Sequence, residues 1–434
     1  MGATTNAVIL AAGLGTRMKS KTHKVLHRIG GQPMVEHIVR VLEQLGIDNI
    51  IVVVGHGAED VKAYLGDRVQ YALQKELLGT ADAVRQAEPH IGGKPGVTLV
   101  INGDNPLITV ETYRDFIAHF KQRNVAAAML TAEVDNPFGY GRVVRSAEGD
   151  VERVVEEKDA SEAERQVREI NTGTFCFDNE KLFAALRQVK NDNAQGEYYL
   201  PDTLSVLRER GEKISAFRVA DASETVGINN RVQLAEAEAI FRKRTLERHM
   251  LAGVTIVDPS QTYIEKRVGI GCDTIIWPGT RLLGDTDIGE GCEIGPDADI
   301  SNCHIADGVT VERSTLRDSS IGAQSTIGPY AHLRPNSVIG ERVKIGDFVE
   351  IKNATIGDDS KVPHLSYIGD SDIGRAVNIG CGAVTVNYDG DRKWRTKVGD
   401  RSFIGCNVNL VAPVSVGEDA YIAAGSTITD DVPA

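Results

Sequence analysis

The sequence predicts two folds in series: an open α/β domain built on a parallel sheet, then a solenoid of parallel β coils. In the first half, short apolar runs alternate with amphipathic stretches, as strands alternate with the helices that cover them. In the second half an aliphatic residue returns at every sixth position, a period that belongs to neither a helix nor a hairpin. At 434 residues the chain also exceeds one ordinary domain.

The strands of the first fold are AVIL (7–10), NIIVVV (49–54) and VTLVIN (97–102). Ligands of such sheets collect beyond the carboxyl ends of the strands, so chemistry is expected just after Leu10 and Asn102. From Asn230 the composition shifts to NRVQLAEAEAIFRKRTLERHMLAG, which reads as a long connecting helix with Asn230 as N-cap and Gly253 as its stop. The chain thus divides into a first domain at 1–228, a linker helix at 229–252 and a solenoid at 253–434.

In the solenoid, Ile264, Ile270, Ile276, Leu282, Ile288, Ile294 and Ile300 are spaced by six without exception. With one-residue slips the beat continues to Ile379, then resumes from Val398 to Ile428. Three six-residue sides make one coil, and stacked aliphatic side chains fill a dry interior. Glycine often follows the aliphatic residue, as at 271, 289, 295, 322, 328 and 340, where a missing Cβ permits sharp corners. Residues 380–397, CGAVTVNYDGDRKWRTKV, break the beat and predict a loop expelled on one face.

Composition narrows the function classes. Hydrophobic residues make up 41% and charged residues 25% of the chain, the balance of a soluble globular protein. A net charge of −13 argues against a nucleic-acid partner, which would need concentrated positive charge. The start, MGATTNAVILAAGLGTRMKS, has no basic region leading into an apolar core and cleavage site. No segment is apolar for long enough to span a bilayer, so no membrane partner is expected. Six cysteines without CxxC spacing fit free thiols in a reducing cytoplasm.

LAAGLGTRMKSKTHKVL carries the first chemical signal. Gly13 and Gly15 let the backbone approach a ligand, and their amides can cradle phosphate at a helix N-terminus. Arg17, Lys19, Lys21 and Lys24 add positive charge. The spacing is not a Walker A motif, and no dinucleotide-site acid follows. Taken alone, a plain tight turn stays equally open.

The flanking residues decide. This stretch resembles the sugar-nucleotidyltransferase signature LAAGxGTRM followed by a lysine in PKVL. Matches in the same family order follow at QKELLGTADAV (74–84), INGDNPL (101–107), NPFGYGRVVR (136–145), VVEEKDA (154–160), EINTGTF (169–175), NAQGEYYLPD (193–202) and VGINNR (226–231). Over nearly its whole length the chain resembles the bacterial bifunctional N-acetylglucosamine-1-phosphate uridylyltransferases/glucosamine-1-phosphate acetyltransferases. The resemblance implies a Rossmann-like nucleotidyltransferase domain followed by a left-handed parallel β-helix. It implies acetyl transfer from acetyl-CoA to glucosamine 1-phosphate, then uridylyl transfer from UTP to N-acetylglucosamine 1-phosphate, in a cytoplasmic homotrimer.

Carried over by position, the resemblance gives Leu10, Ala11, Ala12, Gly13, Gln74, Gly79, Thr80, Asn102 and Gly103 to the nucleotide. Arg17 and Lys24 fall to the triphosphate as catalytic cations, Asp104 and Asn229 to Mg2+, and Gly141, Glu156 and Asn171 to the sugar. His23 stands where the family has proline, so the loop before Lys24 is expected to be less rigid. On the solenoid, His364 would take the proton of the attacking amine, a task that suits an imidazole. Arg334 and Lys352 would hold the sugar phosphate, Tyr367 and Asn378 other substrate oxygens, and Cys381, Asn387, Tyr388, Cys406 and Ala424 acetyl-CoA. Cys381 and Cys406 replace the family's frequent Ala and Ser, and the family usually continues past the Ala434 position with a basic tail that helps bind the coenzyme.

Without the resemblance, His364 reads two ways. It follows inward-facing Val362 by two positions, where an exposed histidine is unremarkable, or it shares a metal with His304 and His332. Two rival functions also stand: a nucleotidyltransferase whose solenoid only oligomerises, and a non-catalytic sugar-nucleotide-binding scaffold.

Overall fold

The apolar runs of the first half become neighbouring strands of one sheet. In this computed structural model, residues 4–55, 57–147 and 149–434 are described. Gly96–Asn102, Thr4–Ala11, Asn49–Val54 and Gln70–Leu73 lie side by side and parallel. Alternate residues of Thr4–Ala11 enter opposite cores, as the two-residue period of a strand requires. Ala7, Ile9 and Ala11 join Val35, Ile38 and Leu42 of the helix Met34–Gln44. Val8 faces the other way and joins Ala81, Val84, Leu182 and Phe183, from the helices Thr80–Arg85 and Asn179–Leu186.

The sheet is mixed rather than wholly parallel. Glu169–Asp178 runs antiparallel to both Gly96–Asn102 and Ala127–Glu133, and the hairpin Gly141–Arg145/Val151–Val155 attaches to it. The short turn between Arg145 and Val151 cannot carry a parallel crossover, which needs a dozen or more residues. Ile214–Arg218 closes one edge, parallel to Ala127–Glu133.

A helix spans Arg231–Leu251, and Asn230 Oδ1 accepts a hydrogen bond from Gln233 N at 2.9 Å as its cap. By internal packing, one compact unit runs to Ile240 and a second covers Phe241–Ala434. Among the described residues, no helix is long and apolar enough to cross a membrane.

The second unit is a left-handed parallel β-helix with sheets of ten, ten and nine strands. Each strand pairs with the third one along, so every coil gives one strand to each sheet. Ile276, Ile294, Val311, Ile327, Ile345 and Val362 pair in succession and are fully buried. The one-residue slips in the sequence are residues dropped at corners, because the inward column itself never breaks.

Two features differ from the sequence reading. The glycine after an inward residue mostly serves stacking, not turning. A Cβ on Gly340 would lie 2.8 Å from Asp358 N, and one on Gly322 would lie 2.5 Å from the carbonyl carbon of Gly340. Many of the left-handed corners instead carry other residues, among them Asn302, Asp318, Asn336, Phe348, Asp359 and Leu365. The break at 380–397 is also narrower than its sequence suggests. Val384–Val386 continues the second sheet, with buried Thr385 paired to Leu410 in the inward column. Its hydroxyl accepts from Gly369 N at 2.7 Å and donates to Gly369 O at 3.0 Å, which satisfies the polar group there. Only the segment 387–395 leaves the coil.

This division of labour is testable. Gly340→Ala should cost about 2–3 kcal/mol by overpacking, whereas Asn336→Gly at a left-handed corner should stay within about 1 kcal/mol. Chemical denaturation of the two variants checks this, and the reverse order would restore glycine as the corner residue.

Candidate functional site

The carboxyl ends of Thr4–Ala11 and Gly96–Asn102 emerge together, Leu10 paired with Asn102. Leu10, Ala11, Ala12, Gly13, Lys24, Gln74, Gly79, Thr80, Asn102 and Asp104 line one hollow of about 380 Å³ there. Arg17, Gly141, Glu156, Asn171 and Asn229 line a second of about 470 Å³, which shares Asn102 and Asp104 with the first. Of the residues predicted for this domain, only Gly103 stays behind the wall, its amide bonded to Leu10 O at 2.9 Å.

Local packing fixes the walls. Gln74 Nε2 donates to Gly79 O at 3.1 Å and to Asp82 at 2.9 Å, which ties the strand end to the following helix. Thr80 Oγ1 accepts from Leu200 N at 2.9 Å. The glycine-rich loop leads into a single 3-10 turn, Thr16–Met18, and not into an α-helix. Phosphate contacts there would fall to loop amides and basic side chains, rather than to a helix end as the motif suggested. Gly15 adopts φ +60°, and a Cβ on it would stand 2.6 Å from Lys24 Cβ, so only glycine lets Lys24 lie where it does. His23 keeps φ at −55°, inside proline's own range. The backbone before Lys24 therefore follows the course that a proline would set.

At the junction of the hollows, Asp104 and Asn229 converge on one point. The Lys24 ammonium occupies it, paired with Asp104 and donating to Asn229 Oδ1 at 2.7 Å. Arg17 reaches the same amide oxygen at 2.8 Å. A carboxylate and an amide oxygen already holding a cation form a donor set that fits a hard divalent ion completed by water and substrate. Deeper in, burial raises the pKa of Glu156, with further contributions from Asp159 and Asp202.

On the β-helix the predicted residues form two groups. Successive coils place His364, Cys381, Cys406 and Ala424 one above another beside the corner, with Asn407 N bonded to Cys381 O at 2.7 Å and Gly425 N to Cys406 O at 2.8 Å. At neighbouring strands, about 4.8 Å apart, such a column is a ready track for an extended ligand. The second group gathers on the next sheet. Lys352 Nζ pairs with Asp370 at 3.0 Å, and Asn387 bonds both Asp370 and, at 3.4 Å, the Tyr367 hydroxyl. Arg334 pairs with Glu350 at 2.8 Å and stands one coil from Lys352. Asn378 joins neither column; it is in register with Lys361 and Phe403 on the first sheet. Tyr388 is exposed on the expelled loop and bonds Gly390 O at 2.7 Å. His304, His332 and His364 lie on three different sheets, so one chain does not bring them to a common metal.

Comparison with known proteins matches this layout. Residues 6–227 fit the nucleotidyl transferase model, just over half of the chain. Residues 320–388 fit the GMPPB C-terminal domain, and 395–430 the bacterial transferase hexapeptide of six repeats. A protein named bifunctional protein GlmU from Geobacillus sp. (strain WCH70) is 58% identical over 98% of this chain and 93% of its own. Its namesake from Exiguobacterium sp. (strain ATCC BAA-1283 / AT1b) is 57% identical over 98% and 95%, and that from Brevibacillus brevis 55% over 99% and 93%. The chain belongs to the GlmU family.

In this GlmU-family chain the sequence reading missed several residues around the sites. Glu197 and Leu77 line the first hollow, and Tyr140 the second. On the β-helix, Asp370 is the hub: buried, and bonded by Lys352, Asn353 and Asn387. Burial alone would raise its pKa, but those three donors hold it below the usual range. Lys393 approaches Lys352 closely enough that the lysine pair depresses its pKa. Two ammonium groups so placed beside Arg334 mark a spot made for an anion. No spacing rule pointed to Lys393, because it sits in the irregular loop.

Glu156 gives a stability test. Its raised folded pKa means that folding favours the protonated acid; the penalty appears as pH rises above the unfolded value and is fully present above the folded one. Glu156→Gln should therefore leave the melting temperature unchanged near pH 3 and raise it at pH 7 in ligand-free protein. An equal effect at both pH values would place the Glu156 carboxylate in solvent.

Proposed function

We propose that this chain makes UDP-N-acetylglucosamine in two steps, one on each unit. The β-helix transfers acetyl from acetyl-CoA to the 2-amine of glucosamine 1-phosphate. The α/β unit then joins N-acetylglucosamine 1-phosphate to the uridylyl group of UTP and releases pyrophosphate. The observation that carries this reading is the likeness of 98% of one chain to proteins named bifunctional protein GlmU, with a hollow at the strand ends of one unit and a polar cluster around Asp370 on the other.

In uridylyl transfer, a phosphate oxygen of the sugar phosphate attacks the α-phosphorus of UTP in line as the bond to pyrophosphate breaks. Positioning and charge neutralisation carry such a step. Gln74, Gly79 and Thr80 border the nucleotide's hollow, and Gly141, Glu156 and Asn171 that of the sugar. Arg17 and Lys24 face the triphosphate where the hollows meet. Asp104 and Asn229 would hold Mg2+, which polarises phosphate oxygens when bound.

In acetyl transfer, the sugar amine attacks the thioester carbonyl and the coenzyme's sulfur leaves. His364 takes the amine proton. Arg334, Lys352 and Lys393 neutralise the sugar phosphate, Tyr367 and Asn378 bond other substrate oxygens, and Asn387, Tyr388, Cys381, Cys406 and Ala424 border the coenzyme. Tyr330, Phe348 and Leu365 stack at one corner with more than half of each side exposed. Such an apolar stripe supports association, and we read the assembly as a cytoplasmic homotrimer whose copies meet beside the coenzyme.

His364→Ala should lower acetyl transfer at least about 100-fold and leave uridylyl transfer within twofold, as read by separate assays. Unchanged acetylation would reduce the β-helix to a structural part. Lys24→Met should slow uridylyl transfer about 100-fold. It should also tighten Mn2+ binding to nucleotide-free protein severalfold, because the ammonium no longer competes for Asp104 and Asn229. Weaker Mn2+ binding in that variant, by titration calorimetry, would put the metal elsewhere.

A further inference from the structure

His364 has a partner on the coil before it. Lys344–Asp347 and Lys361–His364 are adjacent parallel strands, and Asp347 is paired in register with His364. His364 Nδ1 lies 2.6 Å from Asp347 Oδ1. The next residue in both coils, Phe348 and Leu365, adopts the left-handed corner conformation, with φ of +56° and +41°. The two side chains therefore leave the coil from the same point of the same turn. One residue earlier, the coils approach so closely that a Cβ on Gly346 would stand 1.8 Å from Pro363 O. Ser366 Oγ fixes the other side by donating to His364 O at 2.8 Å.

We propose that Asp347 is the positioning residue for His364, holding the ring in the tautomer that acetyl transfer needs. This rests on the reading of His364 as the base. A neutral imidazole has one protonated nitrogen and one free lone pair. With Asp347 accepting from Nδ1–H, the free lone pair is on Nε2. The amine proton passes to Nε2 as the N–C bond forms and the C–S bond breaks; Nε2–H then returns it to the leaving thiolate. During that interval the imidazolium faces a carboxylate, which stabilises it. The carboxylate is ionised for this role: the hydrogen bond from His364 is the largest cause holding the Asp347 pKa below its ordinary value.

The alternative is a surface ion pair without consequence, since both side chains are substantially exposed, at 56% and 40%. Asp347→Ala and Asp347→Asn separate the two. The asparagine oxygen can still accept from Nδ1–H, whereas alanine cannot. Nitrogen-15 spectra of histidine-labelled protein, with His364→Ala to assign the signal, should show Nδ1–H at His364 in the parent and in D347N. D347A should shift to Nε2–H, the tautomer with the wrong nitrogen free. Its kcat for acetyl transfer should fall about 100-fold with KM for glucosamine 1-phosphate within twofold, while D347N stays within about tenfold of the parent. Uridylyl transfer in the same samples reports that the chain is folded.

An unchanged tautomer and kcat in D347A would overturn the inference. If His364→Ala keeps acetyl transfer, the base assignment itself fails. If His364→Ala abolishes transfer and D347A does not slow it, only the role of Asp347 fails.

Discussion

Register between parallel strands is the constraint on which both halves of this chain depend. A slip of one residue would turn every side chain to the opposite face. In the α/β unit the pairing of Leu10 with Asn102 brings two strand ends out together, and the loops that follow supply Lys24 and Asp104. In the β-helix the same rule acts coil upon coil. Asp347, His364, Cys381, Cys406 and Ala424 are far apart in sequence, yet hydrogen bonding leaves them no choice but to stack. Neither site is built by a specialised scaffold; each is a by-product of strands that must align.

Charge is the second organising force. The chain is acidic overall, with a net charge of −13, yet a few basic side chains crowd together at each candidate site. Arg17 and Lys24 share one amide oxygen, Asn229 Oδ1. Lys352 and Lys393 crowd one another near Arg334. Each cluster is moderated by a fixed acid, Asp104 in the first and Asp370 in the second. Like charges held together in this way are costly without a ligand, and a phosphate relieves that cost.

What could be read from the sequence was what repeats or sits at a strand end. The six-residue beat revealed the inward column because, at the beat positions of the strands, every residue is aliphatic except Thr385. That one position hid a complete strand, Val384–Val386, since a threonine bonded to Gly369 looks like an interruption. The strand ends pointed to Asn102 and Asp104, and nearly every residue assigned to the first domain lines its hollows. The antiparallel run of Glu169–Asp178 was not legible, because an isolated strand carries no mark of its direction. Asp347, Asp370 and Lys393 were missed for a related reason. Their meaning lies in neighbours 17 or more positions away, on other coils, and no local motif records that distance.

Thr385 has a further consequence. Because its hydroxyl is satisfied inside the stack, the coil closes over it and the segment 387–395 leaves from an intact corner. Arg395 then re-anchors the segment, pairing with Asp372 and donating to Ser371 O at 3.1 Å. The excursion is thus bounded by two fixed posts. Substitutions at its exposed residues, such as Asp391, are therefore expected to leave the coils above and below in place. The stretch that brings Asn387 to Asp370 and Lys393 to Lys352 is therefore held by the most regular geometry of the chain.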